Sequence, residues 1–343
     1  MSVDRGHVIV TGGAGYIGSH ACKALSAAGF VPVAFDNLST GWAQAVKYGP
    51  LEIGDLMDRA RLDAVFAKYR PVAVMHFAAL SLVGESMQFP GRYWRENVTG
   101  ALNLIEAALR TDCKDFIFSS TCATFGDHDG VTLTEETEQR PINAYGGSKK
   151  AIEEMLRDFA ESDGLGHVIF RYFNVAGADP ECEIGELHRP ETHLIPIVIE
   201  ATQGKRESVA VFGDDYPTPD GTCIRDYVHV VDLVNAHIAG LEWRLAGKEN
   251  RAFNLGTGHG YSVREVIDTV KRVTNAPLTV QQAPRRAGDA SYLVSGSQRA
   301  IEELTWRPLR SSLETIVEDA YQWHQSGISD QWLAEGRDPS GRT

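Results

Sequence analysis

The amino-acid sequence predicts an α/β fold, in which helices wrap both faces of a doubly wound parallel sheet and a smaller mixed lobe follows. In the first half of the chain, short apolar runs alternate with longer amphipathic stretches, the pattern of a parallel sheet covered by helices. The short runs contain consecutive apolar residues, which indicates strands buried on both faces. A glycine-rich turn joins the first predicted strand to the first predicted helix.

The predicted elements of the large sheet follow one another in regular order. Strands are predicted at residues 8–11, 31–36, 51–54, 72–78, 116–120 and 168–174. Helices are predicted between them at 17–28, 59–69, 92–110 and 144–161. After residue 174 the alternation weakens, and only a helix at 194–204 and a short strand at 209–212 are predicted before residue 225.

The two lobes are predicted to be interleaved along the chain. Residues 1–174 form the large-sheet lobe, and residues 226–258 return to it because 227–242 and 252–256 resemble sheet-associated segments. Residues 175–225 and 259–326 form the smaller lobe, which covers the open end of the sheet. Residues 327–343 are polar, and we expect them to be a loosely held tail.

Composition and charge exclude several classes of protein. Acidic residues outnumber basic ones by 46 to 33, and the resulting net charge of -13 argues against nucleic-acid or anionic-membrane partners. Five cysteines without metal-ligand spacing indicate reduced thiols and no metal site. The longest apolar runs have strand length, and no signal peptide is recognisable. We therefore expect a cytoplasmic protein.

The glycine-rich turn has the spacing of a dinucleotide site. Gly12, Gly15 and Gly18 form a Gly-x-x-Gly-x-x-Gly pattern between a predicted strand and a predicted helix. Such a turn lets the backbone approach a pyrophosphate at the positive end of the helix. Asp36 ends the second strand, about 20 residues further on, where a carboxylate accepts hydrogen bonds from ribose hydroxyls. The first lobe is thus predicted to be a Rossmann domain that binds NAD rather than NADP.

Two other strand ends are candidates for cofactor contact, each with a structural alternative. Asp55 follows the third strand, where it either reaches the adenine or caps the next helix. Phe77 and Ala78 lie at the end of the fourth strand, where small residues allow the backbone to pass near a cofactor, although Phe77 is also compatible with core packing.

Tyr145 and Lys149 are the candidate reactive groups. They are four residues apart on a predicted helix and therefore share one face. A phenol ionises near pH 10, and lowering its pKa to about 7 requires about 4 kcal/mol, which a nearby ammonium and an oxidised nicotinamide can supply. The hydroxyl-rich segment 119–126 follows the fifth strand, where its side chains either position a substrate alcohol or cap the local turn. These motifs indicate redox chemistry at a hydroxyl-bearing carbon.

These motifs resemble the extended short-chain dehydrogenase/reductase family and, within it, the UDP-glucose (UDP-galactose) 4-epimerases. The resemblance extends over nearly the whole chain, from about residue 8 to about residue 326. Its most specific segments are residues 11–20, 35–39, 83–86, 171–174, 176–180, 213–229 and 285–289. The segment 213–229 is much more characteristic of the 4-epimerases than the glycine turn or the Tyr145/Lys149 pair.

The resemblance implies roles for individual residues. Tyr145 matches the catalytic base, Lys149 the residue that holds the nicotinamide ribose, and Thr121 the catalytic serine or threonine. Cofactor contacts are implied for Gly12, Gly15, Tyr16, Ile17, Asp36, Asn37, Asp55, Leu56, Phe77, Ala78, Asn97, Ser119, Tyr145, Lys149 and Tyr172. UDP-sugar contacts are implied for Thr121, Asn174, His193, Leu194, Ala210, Phe212, Arg225, Arg286, Asp289 and Leu293.

Three residues depart from the commonest family pattern. Ser81 stands where many relatives have a lysine near the cofactor, which predicts weaker cofactor retention. His193 replaces a frequent asparagine near the sugar diphosphate. Leu293 occupies a gate position that is tyrosine in strict glucose/galactose enzymes and smaller in enzymes that accept N-acetylated sugars, so the breadth of sugars accepted stays open.

The resemblance implies an NAD-dependent 4-epimerase that interconverts UDP-glucose and UDP-galactose. Activity on UDP-xylose/UDP-arabinose or UDP-GlcNAc/UDP-GalNAc is the main alternative, and a nucleotide-sugar dehydratase or decarboxylase is a second. A dehydratase requires an Asp-Glu pair after the strand-end threonine, where this chain has Cys122 and Ala123. A non-catalytic NAD-binding regulator is a third alternative, but it would not need the Tyr145/Lys149 pair. The family also implies a homodimer formed through helices near 92–110 and 144–161.

Overall fold

The computed structural model describes residues 5–128, 130–286 and 289–337. The strands are β1 His7–Thr11, β2 Val31–Asp36, β3 Leu51–Ile53, β4 Ala73–His76, β5 Asp115–Thr121, β6 Gly166–Tyr172, β7 Asn174–Ala176, β8 Val209–Phe212, β9 Ile224–His229, β10 Arg251–Leu255, β11 Gly260–Ser262, β12 Val280–Ala283 and β13 Tyr292–Leu293. The helices are α1 Tyr16–Ala27, α2 Arg59–Tyr69, α3 Val83–Gln88, α4 Pro90–Tyr93, α5 Gly100–Arg110, α6 Ala144–Asp163, α7 Leu194–Thr202, α8 Val230–Leu245, α9 Val263–Thr274, α10 Gln298–Glu303, α11 Leu313–Gln325 and α12 Ile328–Glu335.

A seven-stranded sheet forms the centre of the molecule, in the order β10-β6-β5-β4-β1-β2-β3. Its strand pairs are all parallel. Successive strand residues enter opposite cores: Val8 and Val10 pack with α1 and α8, whereas Ile9 packs with α2, α5 and α6. The predicted doubly wound fold is therefore confirmed. The direction of winding reverses between β1 and β4, and ligands bind at such a reversal in open α/β sheets.

A smaller lobe of mixed strands lies beyond the large sheet. Strand β9 pairs with β7 and β13 in parallel and with β11 antiparallel, while β8 and β12 form a separate parallel pair. Helices α7, α9 and α11 bury a third core against these strands, which includes Ile199, Tyr227, Val270 and Ile316. The predicted smaller mixed lobe is therefore present.

The boundary between the two sheets differs from the sequence prediction. The predicted strand 168–174 is divided, because β6 ends at Tyr172 and β7 pairs with β9 in the smaller sheet. Residues 226–229 likewise belong to β9 rather than to the large sheet. Helix α8 packs on β5 and β6, however, and β10 pairs with β6 at the edge of the large sheet. The proposed limits of the two lobes stay a prediction.

The predicted helix 92–110 is interrupted. Helix α4 is followed by a turn of π-helix at Trp94–Thr99 before α5 begins. Inside this turn Asn97 is buried, and its amide donates to the Leu80 carbonyl (3.0 Å) and accepts from the Leu80 N–H (2.8 Å). The turn thus aims a polar side chain at the segment after β4, as π-turns often do at functional sites.

The prediction of a loosely held tail from residue 327 is wrong for its first part. Residues 328–335 form α12, and the Trp332 ring lies 5.3 Å from the Trp323 ring, with both side chains buried. Ile328 and Leu333 pack against the same cluster. These apolar residues recur at helical spacing, which the polar composition of the segment conceals. The rest of the predicted tail, 338–343, lies outside the described residues. None of the helices in the described ranges has the length and apolar character needed to cross a bilayer.

Candidate active site

The glycine-rich turn forms a cradle that only residues without a side chain allow. Gly12 has a φ of +70°, and a Cβ there would lie 2.8 Å from the Ala78 backbone nitrogen. A Cβ on Gly18 would lie 2.1 Å from the Gly12 carbonyl oxygen. Gly15 precedes α1 as its N-cap without a side-chain hydrogen bond, so the helix start is open to an anion. The turn therefore fits a bound pyrophosphate.

Asp36 lies at the end of β2, directly beside this turn. Its carboxylate accepts hydrogen bonds from the Ala14 N–H (3.0 Å) and the Leu38 N–H (2.8 Å). Burial raises the pKa of Asp36, although these two hydrogen bonds oppose the rise. Asp36 is 8% exposed, and it lies at the end of β2, as predicted. Its carboxylate is therefore at the edge of the site.

Asn37, Asp55 and Leu56 meet at the carboxyl ends of β2 and β3. The Asn37 amide donates to the Asp55 carboxylate at 2.7 Å. Asp55 also accepts from the Met57 N–H at 2.8 Å, a local turn contact rather than a cap of α2, which Asp58 provides. The Leu56 carbonyl accepts from Asn103, so this residue joins the cofactor-side loop to α5.

Two predicted cofactor residues also connect parts of the protein. The Tyr16 hydroxyl donates to the Gly177 carbonyl at 2.7 Å, which ties the start of α1 to the segment after β7. Ile17 packs in the core between α1 and the sheet. The Phe77 ring lies 4.9 Å from the His237 ring, in contact with α8, which favours the packing role for Phe77.

Tyr145 and Thr121 approach each other at the carboxyl end of β5. Asn143 caps α6 by accepting from the Gly146 N–H at 2.8 Å, which fixes the first turn where Tyr145 lies. Burial, followed by neighbouring Tyr172, raises the pKa of Tyr145 above its ordinary value, whereas a hydrogen bond with the Thr121 hydroxyl opposes that rise. Without a bound cofactor, the surroundings of Tyr145 therefore keep its phenol protonated at neutral pH.

Lys149 lies one helical turn after Tyr145 and is buried. Its ammonium donates to the Ser119 carbonyl at 2.8 Å and lies 4.9 Å from the centre of the Phe118 ring. Burial lowers the pKa of Lys149 to about 7, with Glu153 opposing the fall. The Ser119 hydroxyl is hydrogen-bonded to the Tyr172 hydroxyl. These contacts bring Ser119, Lys149 and Tyr172 together at the carboxyl end of β5.

A buried ion pair that was not predicted from the sequence lies behind Lys149. Glu153 is one further turn along α6, and its carboxylate contacts the Arg171 guanidinium at 2.6 Å, with both side chains at most 4% exposed. Glu153 also accepts from the Ser120 hydroxyl at 2.6 Å. The signal was present in the sequence, because Tyr145, Lys149 and Glu153 recur at intervals of four on one helix.

Part of the predicted UDP-sugar set meets where β9 pairs with β13. Arg225 lies opposite Leu293 in this pairing and forms an ion pair with Asp289. The Arg225 guanidinium also donates to the Ala290 carbonyl at 2.7 Å. Leu293 packs against a buried cluster that contains Cys122, next to Thr121. The arginine is thus oriented beside the candidate catalytic residues.

The remaining residues of this set come from β7, β8 and α7. Ala210 and Phe212 alternate with buried residues along β8, so both face away from the third core. The Arg286 guanidinium lies 3.9 Å from the centre of the Phe212 ring. Asn174 begins β7, and His193 and Leu194 begin α7.

The fold and the site define a dinucleotide-dependent protein of the short-chain dehydrogenase class. The defining features are the seven-stranded parallel sheet, the glycine cradle beside Asp36, and the helix that carries Tyr145 and Lys149. A model of the NAD dependent epimerase/dehydratase family matches residues 8–256. The chain belongs to this family.

Individual relatives match almost the entire chain. A UDP-glucose 4-epimerase of Rhizobium meliloti (strain 1021) is 48% identical over 322 residues, covering 94% of this chain and 98% of the relative. The crystal structure of UDP-glucose 4-epimerase from Brucella ovis in complex with NAD is 46% identical, with a TM-score of 0.90 over 92% of this chain and 98% of that one. The enzyme from Bifidobacterium longum in complex with NAD⁺ and UDP is 34% identical, with a TM-score of 0.90 over 94% and 99% of the two chains.

Proposed function

We propose that the chain interconverts UDP-glucose and UDP-galactose by NAD-dependent oxidation at carbon 4, rotation of the 4-keto intermediate and re-reduction. The observation that carries the proposal is the approach of Tyr145 to Thr121, with Lys149 one turn below, at the sheet edge that also holds the glycine cradle. The UDP-glucose 4-epimerases from Rhizobium meliloti and Brucella ovis each match this chain over 98% of their own length, which supports the same activity.

The residues of the first lobe are suited to hold NAD. The cradle of Gly12, Gly15 and Gly18 leaves space for a pyrophosphate, and Asp36 offers a carboxylate to ribose hydroxyls while repelling a 2′-phosphate. When bound, NAD supplies the hydride acceptor and donor that reversible oxidation of carbon 4 requires, together with a positive charge near the phenol.

Tyr145 acts as the proton acceptor and donor for the sugar 4-hydroxyl in this proposal. Thr121 hydrogen-bonds the reacting oxygen and holds it near the phenol. Lys149 lies deeper, on the Ser119 carbonyl, where its charge favours the phenolate and its position suits contact with a ribose hydroxyl. The cofactor charge is needed because burial alone raises the pKa of Tyr145.

The smaller lobe holds the UDP part in this proposal. Arg225 and Arg286 present guanidinium groups, whose planar forks suit a diphosphate, and Phe212 offers a ring face to the uracil. Strong binding of UDP with weak binding of the sugar retains the intermediate while the sugar turns over. Leu293, intermediate in bulk, leaves UDP-xylose/UDP-arabinose and UDP-GlcNAc/UDP-GalNAc as alternative substrates.

The test compares sugars and follows an isotope. Purified protein is incubated with UDP-galactose, UDP-xylose and UDP-GlcNAc separately, and the products are separated by chromatography. We expect UDP-galactose to be converted to UDP-glucose, which has the same mass. When the substrate carries deuterium at carbon 4, the product should retain the label. A change in mass would indicate a dehydratase or decarboxylase instead. The absence of product from each of the three sugars would refute the proposal.

Replacement of Tyr145 tests the residue assignment. Tyr145→Phe should lower turnover by about 10²–10⁴-fold, because general acid–base catalysis contributes that much. Bound NAD, identified after denaturation, should remain. Tyr321→Phe, on α11, is the matched control because the Tyr321 hydroxyl contacts Gln325 at the surface. Equal turnover in Tyr145→Phe and the control would refute the assignment of the base.

We propose further that two copies associate through the region of α4 to α6. Met87, Trp94 and Ile142 line a groove on α6, Phe89 lines a second groove, and the four residues expose between 45% and 59% of their surface. A cluster of large exposed apolar side chains is typical of a contact surface. Light scattering should give the mass of a dimer, and Trp94→Arg should shift it toward a monomer. A monomeric wild-type protein would refute the pairing.

A cytoplasmic location is proposed from the cysteines. All five lie in described parts of the chain, and none forms a disulfide there. Free thiols of this kind favour a reducing compartment. Fractionation of the source cells, with detection of the protein in the soluble cytoplasmic fraction, tests this location.

A further inference from the structure

Four side chains of the segment that precedes α7 lie close together. Glu186, His188, Glu191 and His193 each provide one donor atom, and these four atoms lie within 4.8 Å of one another. Glu186 and Glu191 are buried, His188 is half-buried, and His193 is at the surface. The segment therefore places two carboxylates in the interior and two imidazoles above them.

The imidazole nitrogens lie 2.5–3.8 Å from the carboxylate oxygens, and the shortest contact, between His193 Nδ1 and Glu186 Oε1, is a hydrogen bond. His188 Nδ1 lies 3.2 Å from Glu186 Oε1 and 3.8 Å from Glu191 Oε2. His193 Nδ1 lies 2.5 Å from Glu186 Oε1 and 3.5 Å from Glu191 Oε1. Four donors at about 2.0–2.1 Å from a zinc ion are about 3.4 Å apart. Binding of an ion would therefore replace the hydrogen bond between His193 and Glu186 and move these two groups apart.

Glu186 and Glu191 have no lysine or arginine paired with them in the described part of the chain, unlike Glu153 and Asp179. Glu153 is paired with an arginine, and the neighbouring acidic cluster around Asp179 encloses the Lys23 ammonium at 2.5–2.9 Å. In the described part of the chain, the ion pairs of Glu186 and Glu191 involve only histidines. One divalent cation would balance both carboxylates and leave the imidazoles neutral.

A second observation points to a missing partner. The Nδ1 atom of His188 is buried and makes no hydrogen bond with a described residue, although it lies 3.2 Å from Glu186 Oε1. The atom is thus close enough to the carboxylate but poorly aligned with it. A metal ion between them would satisfy both groups, since a ligand nitrogen and a ligand oxygen each direct a lone pair at the ion.

The backbone around the cluster is held in place. The Trp323 indole donates to the Glu186 carbonyl at 3.0 Å, and the Trp42 indole donates to the Leu187 carbonyl at 2.9 Å. Glu191 Oε1 accepts from the N–H groups of Thr192 (2.8 Å) and His193 (2.9 Å). Outer contacts of this kind orient metal ligands.

We propose that Glu186, His188, Glu191 and His193 form a binding site for one divalent cation of the zinc class. Imidazole nitrogens and carboxylate oxygens at four positions suit Zn²⁺, whereas Mg²⁺ and Ca²⁺ prefer more oxygen ligands. The ion joins the segment 186–191 to the start of α7. The site uses none of the residues assigned to proton transfer, but it includes His193, for which the resemblance implies a UDP-sugar contact.

The test measures metal content rather than turnover. Full-length protein with its bound nucleotide and without an affinity tag is stripped with a chelator, equilibrated with ZnCl₂ and desalted. Elemental analysis should find close to one zinc per chain. His188→Gln and Glu191→Gln should each weaken zinc binding at least about tenfold, because even loss of an outer contact costs about 10–100-fold. Glu181→Gln, in the lysine-filled cluster, should bind zinc like the wild type.

A second measurement keeps the proposal testable if a variant fails to fold, which its melting curve and nucleotide content will reveal. Co²⁺ added to the stripped wild-type protein should give the intense visible absorption of a tetrahedral site. Absence of both stoichiometric zinc and this spectrum would overturn the proposal. Zinc binding that is equally tight in folded His188→Gln would overturn it too. Failure of the epimerase assay would leave these readouts unaffected, so the two proposals are tested separately.

Discussion

The buried ammonium of Lys149 predicts a pH dependence of stability that a single substitution should abolish. Burial lowers the pKa of Lys149 from 10.5 to about 7, so the folded chain loses this proton before the unfolded chain does. Below about pH 7 both states are protonated, and the folded state bears the full cost of the buried charge. Between about pH 7 and 10.5 the unfolded state holds more protons, so stability rises with pH.

The pKa difference sets the size of the effect. At roughly 1.4 kcal/mol for each pKa unit, a fall from 10.5 to about 7 corresponds to about 5 kcal/mol. Lys149→Met removes this titration and also removes the hydrogen bond to the Ser119 carbonyl, which costs about 1 kcal/mol at every pH. The variant should therefore be more stable than the wild type at pH 6.5, and its advantage should shrink by about 2–3 kcal/mol by pH 9.

The assay is urea unfolding of the nucleotide-free protein, followed by circular dichroism at intervals from pH 6.5 to pH 9. Lys150→Met is the matched control, because it removes the neighbouring lysine of α6, whose side chain is 34% exposed rather than buried. A difference between Lys149→Met and the wild type that stays constant across this range would refute the reasoning, because it would mean that the buried amine does not titrate there.

Three other substitutions have clear expected outcomes. Glu153→Gln should lower the free energy of unfolding by about 3–5 kcal/mol in urea titrations, because it leaves a buried arginine unpaired, whereas the exposed Glu154→Gln should change it by less than about 0.5 kcal/mol. Gly18→Ala should distort the glycine cradle and so reduce the amount of NAD released on denaturation. Gly84→Ala is the control, because no atom lies within 4 Å of the added carbon, and it should leave the NAD content unchanged. Equal nucleotide content in the two variants would contradict the assignment of the glycine cradle to NAD binding. Trp332→Ala should cost about 3–5 kcal/mol of stability, and an unchanged melting temperature would mean that α12 does not contribute to the fold.

Local spacing made much of the first lobe predictable. The Tyr145/Lys149 interval and the glycine turn are short-range patterns whose geometry follows from one helix and one strand–helix turn. The side-chain chemistry was less accessible, because the pKa of Tyr145 depends on burial and on Thr121, which comes from another strand. Sequence spacing cannot give the degree of burial at such a junction.

Long-range pairing limited the prediction of the second lobe. Arg225 and Asp289 are 64 residues apart, and they meet because β13 adds to β9. The π-helical turn that interrupts the predicted helix 92–110 was not predicted either. In this turn the buried Asn97 is hydrogen-bonded to Leu80, a contact that helical periodicity in the sequence does not reveal. Glu186 and His193 are close in sequence, but the meeting of their donor atoms depends on how the segment between them folds.

Asp36 has a consequence for attempts to redesign nucleotide preference. The carboxylate that would read the adenine ribose also holds the Ala14 and Leu38 N–H groups, so recognition and loop shape depend on the same two oxygens. Exchanging it for a neutral or cationic residue would release the glycine loop at the same time as it admits a 2′-phosphate. A useful switch in coenzyme choice therefore calls for a compensating hydrogen-bond acceptor elsewhere in the loop, not for a single exchange.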